Sequence, residues 1–196
     1  AMGFSGEKDA VYSFQFNGPE DKKREFMGFV ESFCLGEEAQ QETQEETEQD
    51  YLQDASDFQQ VGNAEMAFQK YMVAASDYGS PEAQLEVARC YQNGTGVEKN
   101  EENAVVWYKK AAEQGYAEAQ KKLGDCYNYG TGVAKDLEQA FECYRKAAEQ
   151  GNARAKNNLG VCYMKGNGVT KDPVQAAEWY ARAAEQGLAE AQNNLG

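Results

Sequence analysis

Few residues in this 196-residue chain are of a type and spacing to do chemistry. Histidine, the commonest general base and a frequent metal ligand, is absent. Ser5 and Lys8 fit a Ser-x-x-Lys pattern, in which the amine would take the hydroxyl proton, but no Lys-Thr-Gly follows to complete such a site. Gly94-Thr95-Gly96 looks like a fragment of a phosphate-cradling loop. It follows a helical pattern rather than a strand, however, and lacks the Lys-Ser/Thr ending that would grip phosphates. The five cysteines (Cys34, Cys90, Cys126, Cys143 and Cys162) form no CxxC pair and so lack the clustering of a zinc site. No catalytic residue, cofactor or metal is expected, and the chain reads as non-enzymatic.

Three of the cysteines expose the organising feature. Val87 to Val97, with Cys90-Tyr91 and Gly94-Thr95-Gly96-Val97, returns 36 residues later as Leu123 to Val133, and again as Leu159 to Val169. A fixed period of this size predicts stacked helix pairs. First helices are expected at about Pro81 to Asn93, Glu118 to Tyr129 and Arg154 to Lys165. In the second of these, Ala119, Leu123, Cys126 and Tyr127 make one buried stripe. The paired glycines that follow end each helix with positive φ, and the valine plugs the turn. Asn100, Asp136 and Asp172 sit as N-caps of second helices, with Pro173 at a first helical position; Gly115, Gly151 and Gly187 close them. Equivalent cysteines on stacked helices lie too far apart for a disulfide, so buried free thiols are expected, with Cys126–Cys143 as the alternative pairing within one repeat. Cys143 occupies the slot of Trp107 and Trp179 as a small core substitution.

The pattern Ala-x-x-x-Leu-Gly-x-x-Tyr-x-x-Gly-x-Gly-Val, followed by Asp-x-x-x-Ala-x-x-Trp-Tyr-x-x-Ala-Ala-Glu-Gln-Gly, resembles the Sel-one-like repeat, a relative of the tetratricopeptide repeat. The resemblance covers residues 81–196. It implies an all-α fold, a right-handed α-solenoid of stacked antiparallel helix pairs, and an adaptor role in protein complexes. Some cysteine-rich relatives bridge consecutive repeats through cysteines seven residues apart; that spacing is missing here.

The domain reading follows. Residues 1–44 form an extension with a loose start, a strand-like Val11 to Phe16, an amphipathic helix over Asp21 to Leu35 and an acidic run over 37–50. Residues 45–80 form a degenerate capping repeat, in which Ala74-Ala75 and Gly79 stand one period before Ala111-Ala112 and Gly115. Residues 81–196 hold three full pairs (81–115, 117–151, 153–187) and the start of a fourth. That fourth unit would leave an open end able to associate end to end. Met2 reads as the natural start with no signal peptide, and reduced cysteines then suggest the cytoplasm.

Charge narrows the partner. The net charge is −14, of which residues 1–80 carry −12 and residues 81–196 carry −2. Without a basic face, neither nucleic acid nor acidic membrane is an expected partner. A protein or peptide is. In helix-pair solenoids the first helices line the concave face, so positions that vary between repeats are the candidate contacts: Leu85/Lys121/Asn157, Arg89/Asp125/Val161, Gln92/Asn128/Met164 and Asn93/Tyr129/Lys165. Arg89, Gln92, Lys121, Asp125, Asn128, Tyr129, Asn157 and Met164 form the expected partner-binding set, led by Arg89, Tyr129 and Met164 as interface-prone types. The expected function is a non-enzymatic interaction scaffold holding a peptide or protein on its concave face. The alternative is the partner-recognition region of a larger enzyme or secreted effector.

Overall fold

The computed structural model describes residues 46–195. The extension over residues 1–44, with the strand-like and helical segments expected in it, Ser5, Lys8, Cys34 and most of the acidic run, lies outside them. Nine α-helices and no strand occur among the described residues: α1 (Glu48–Gln60), α2 (Ala64–Ser76), α3 (Pro81–Asn93), α4 (Glu101–Glu113), α5 (Ala117–Tyr129), α6 (Leu137–Glu149), α7 (Ala153–Lys165), α8 (Pro173–Ala184) and α9 (Ala189–Leu195). Each packs mainly on its neighbours in sequence, giving an α-solenoid of helix pairs.

Local chemistry explains the boundaries. The side chains of Asn100, Asp136 and Asp172 accept from backbone N–H groups in the first turns of α4, α6 and α8, satisfying donors that a helix start leaves open. Thr47 and Asp50 form a reciprocal capping box on α1. The first helices α3, α5 and α7 end on Gly94, Gly130 and Gly166, all left-handed. The second glycine of each loop has a different task. A Cβ on Gly96, Gly132 or Gly168 would overlap the backbone carbonyl of Ala64, Glu101 or Leu137, the first residue of the preceding pair's second helix. Each loop is therefore seated directly on the unit before it.

Packing repeats with the sequence. Ala104, Tyr108 and Ala111 of α4 meet Leu85 and Ala88 of α3 and Ala119, Leu123 and Cys126 of α5 in one cluster; α6 and α7 repeat the arrangement. Tyr91, Tyr127 and Tyr163 are half-buried rather than central and pack against these clusters, and Phe68–Tyr91 and Phe141–Tyr163 meet edge to face. Gly124 and Gly160 lie under tyrosine rings: an added Cβ would stand 2.7 Å from Tyr144 and 2.6 Å from Tyr180. Two buried glutamines brace each helix pair and reach the unit before it, Gln84 Nε2 donating to the Gly79 carbonyl and Gln120 Nε2 to that of Ala112, both at 3.2 Å. The Gln114 amide donates to Gln84 Oε1 at 2.9 Å, and that of Gln150 to Gln120 Oε1 at 2.7 Å. Lys156 replaces the glutamine in the next unit.

The pair α1/α2 departs from the period. Its N-cap Asn63, Ala67, Tyr71 and Ala74 match Asn100, Ala104, Tyr108 and Ala111 one residue beyond the repeat offset, while Gly79 and Gly115 keep that offset. Ala74-Ala75 thus do not stand one full period before Ala111-Ala112. Aligning the 13-residue helices α1 and α3 on their caps Thr47 and Ser80 sets Asp50, Asp54 and Asp57 opposite Ala83, Val87 and Cys90. Those three α3 residues are buried, Ala83 and Val87 against the preceding pair. On α1 the same side is acidic.

Candidate functional site

On α3, α5 and α7 one stripe stays wholly or partly open to solvent. It comprises Glu82, Glu86, Arg89 and Asn93; then Glu118, Lys122, Asp125 and Tyr129; then Arg154, Asn158, Val161 and Lys165. Apart from Glu82 and Glu118, these residues differ from unit to unit. They touch along the row: Arg89 lies 4.0 Å from Glu118, and Asn158 Nδ2 donates to Asp125 Oδ1 at 3.4 Å.

The structure sorts the eight expected contact residues into three groups. Lys121 and Asn157, with the equivalent Leu85, are buried between helices. Lys121 Nζ sits 3.2 Å from Asp125 and 3.6 Å from Glu118, and Asn157 Oδ1 accepts from Asn194 at 2.9 Å. Gln92 and Asp125 accept from the hydroxyls of Tyr108 (2.8 Å) and Tyr144 (2.9 Å) and so hold second helices in place. Arg89, paired with Glu86 at 3.2 Å, and Asn128 remain partly accessible, while Tyr129 and Met164 are exposed. Lys122, Asn158 and Arg154 share the open stripe but are absent from the expected set. They were findable, since Glu86/Lys122/Asn158 and Glu82/Glu118/Arg154 also vary. Positions 85 and 86 differ by about 100° around the helix, and only the packing partners decide which of the two faces solvent.

Burial shapes the electrostatics. It pushes the Glu86 carboxyl above its ordinary range and holds the Lys122 ammonium below its own, the latter aided by neighbouring Lys121. Desolvation also raises the Tyr144 hydroxyl, and the Asp125 charge beside it adds to the effect. A neutral tyrosine therefore donates to a carboxylate.

The four described cysteines, Cys126 and Cys143 included, are free thiols. Cys143 is only half-buried, packed against a core cluster. Burial pushes the thiols of Cys90, Cys126, Cys143 and Cys162 from an ordinary 9.0 up to about 11. A pKa raised by folding favours the protonated form in the folded state. The resulting stability is complete below pH 9.0 and is lost as pH rises through about 11. The thermal midpoint of the reduced protein is expected to fall across that window and to be flat just below it. A midpoint that holds steady to the top of the window would show that these thiols ionise without cost.

Among the described residues, no three His, Cys, Asp or Glu side chains gather as metal ligands, and no helix is long and apolar enough to cross a membrane. A family model for the Sel1 repeat matches residues 81–116, 117–152 and 153–188, the three pairs α3/α4, α5/α6 and α7/α8. The chain belongs to the Sel1 repeat family.

Solved Sel1-type structures agree. A protective antigen of uropathogenic Escherichia coli displaying an SLR fold is 35% identical with a TM-score of 0.75, over 81% of this chain and 35% of that one. A Sel1 repeat protein from Oxalobacter formigenes is 38% identical with a TM-score of 0.72, over 76% of this chain and 61% of that one. Cysteine rich protein B of Helicobacter pylori is 26% identical with a TM-score of 0.55, over 69% of this chain and 97% of that one. The chain thus spans 35% and 61% of the first two Sel1-type proteins. No curated protein matches the sequence. Sel1 repeat proteins are in general protein-interaction scaffolds.

Proposed function

We propose that this Sel1 repeat protein is a non-enzymatic scaffold that holds a peptide or protein segment on the concave face formed by α3, α5 and α7. One observation carries the reading. The constant positions are used up by packing, caps and the glutamine ties, whereas the open stripe changes from unit to unit. Only a surface that escapes the repetition can select a partner. Arg89, Asn128, Tyr129 and Met164 remain contact residues in this reading, joined by Lys122, Arg154 and Asn158. Lys121 and Asn157 support the row from beneath, and Asp125 and Gln92 brace it by accepting from tyrosine hydroxyls. The acidic α1 surface serves as an N-terminal cap, because a polar outer face on a terminal unit keeps a solenoid from stacking further. Free thiols support a reducing compartment, the cytoplasm.

Peptides selected from a displayed random library by the full chain provide the test. Such peptides are expected to bind an Arg89→Ala/Tyr129→Ala variant about tenfold more weakly or worse, with its helical circular dichroism unchanged. A Val106→Ser/Lys109→Ala variant on the second-helix side should bind as the parent does. The reverse outcome would move the site to the second helices. That the chain spans 35% and 61% of two relatives favours a second reading as well, in which this is the partner-recognition region of a larger enzyme or effector.

A further inference from the structure

Ion pairing along the first-helix row stops at α5. Arg89 is matched by Glu86 and Glu118, and Lys121 by Glu118 and Asp125. The next first helix, α7, carries Arg154, Lys156 and Lys165 and no acid at all. None of its three cations has an ion-pair partner within 4.0 Å among the described residues. The nearest equivalents of Arg154 on the neighbouring helices are Glu118, already shared by two cations, and Glu190, which makes no such pair. In a chain of net charge −14 this helix is the exception. It also offers apolar surface on the same side. Half-exposed Val161 lies between Arg154 and Lys165, Met164 is 37% exposed, and Tyr129, at the Lys165-equivalent position of α5, is 75% exposed.

We infer that α7 selects an acidic, extended segment of the partner, with two carboxylates about five residues apart and an apolar residue between them. The inference rests on the first-helix row being the binding face. Arg154 and Lys165 are eleven residues apart on one stripe, which is about 16 Å along a helix at 1.5 Å per residue. An extended peptide covers that span in about five residues. Its carboxylates supply the counter-charge that α7 lacks, and the central side chain sits on Val161, Met164 and Tyr129. The acidic remainder of the chain repels the same peptide, so α7 is where it docks. Nucleic acid would bring the same negative charge, but the acids flanking Arg154 and the overall charge oppose a long polyanion.

Sequencing the peptides selected by the full chain tests this. They are expected to be rich in Asp and Glu around an apolar residue. Synthetic copies with both acids changed to Gln should bind at least about tenfold more weakly, and affinity should fall as salt rises from about 0.05 M to about 0.5 M. A peptide copying residues 37–50, acidic but with a single apolar residue, Ala39, should bind more weakly than the selected ones. Equal binding would remove the apolar contact from the proposal. Arg154→Glu/Lys165→Glu should lose the acidic peptides and select basic ones instead, while Arg154→Lys/Lys165→Arg keeps them. Peptides that lose affinity for Arg89→Ala/Tyr129→Ala yet carry no acidic bias, or ignore the α7 reversal, would overturn this inference and leave the scaffold reading standing. Peptides that map to the second helices, or a library yielding no binder, would remove both.

Discussion

Replacing Gly132 by alanine is expected to destabilise the protein by about 3–5 kcal/mol in chemical denaturation, while alanine at Gly130 costs about 1–2 kcal/mol. Both glycines have positive φ, 67° and 74°, so both substitutions carry the same backbone penalty. They differ in what the new methyl meets. At Gly130 it would stand 3.3 Å from Lys135 Cβ, a tight contact without overlap that a shift of a few tenths of an ångström in the exposed loop relieves. At Gly132 it would overlap the carbonyl of Glu101, backbone at the start of α4. That group cannot move without parting the second Sel1 unit from the first. Because a solenoid is held by contacts between neighbours, a wedge at one seam weakens the whole array. Equal losses for the two variants would show that the loop is not seated as described.

Tyr144→Ala is the second large effect, an expected loss of about 3–5 kcal/mol from the emptied volume. The ring is almost wholly buried and lies on Gly124, where no Cβ intervenes. Its hydroxyl donates to Asp125 on the open row. Tyr144→Phe keeps the ring and removes only that hydrogen bond, for about 1 kcal/mol. Asp125 still faces Lys121 Nζ and Asn158 Nδ2, so its charge is not stranded. If Phe costs as much as Ala, the hydroxyl rather than the ring holds α6 on α5.

The match between sequence and structure was closest where chemistry is local. Asn100, Asp136 and Asp172 cap because a short polar side chain before a helical run can accept from its free N–H groups, whatever surrounds it. Cys90, Cys126 and Cys162 are buried and free because equivalent slots on stacked helices stay apart. Spacing and structure part where two neighbours compete for one face. Lys121 was expected in the open, yet its stem is enclosed between helices and its ammonium is satisfied by Glu118 and Asp125. Lys122, one residue on, holds the open position. The buried Gln84 and Gln120 went unread for the same reason. A glutamine at a fixed slot says nothing until the carboxamide of Gln114 or Gln150, 30 residues away, is seen to reach it.

The period, the helix pairs, their ends and the Sel1 family were legible in one dimension, since each rests on spacing that recurs within the chain. The assignment of charges to faces was not. Whether a varying residue selects a partner or braces the row depends on which side chains enclose it from other helices. That enclosure set Lys121 and Asn157 beneath the surface, tied Asp125 and Gln92 to tyrosine hydroxyls and, among the described residues, left Arg154 and Lys165 of α7 without an ion-pair partner. Repetition builds the row, and packing between units chooses which of its residues meet solvent.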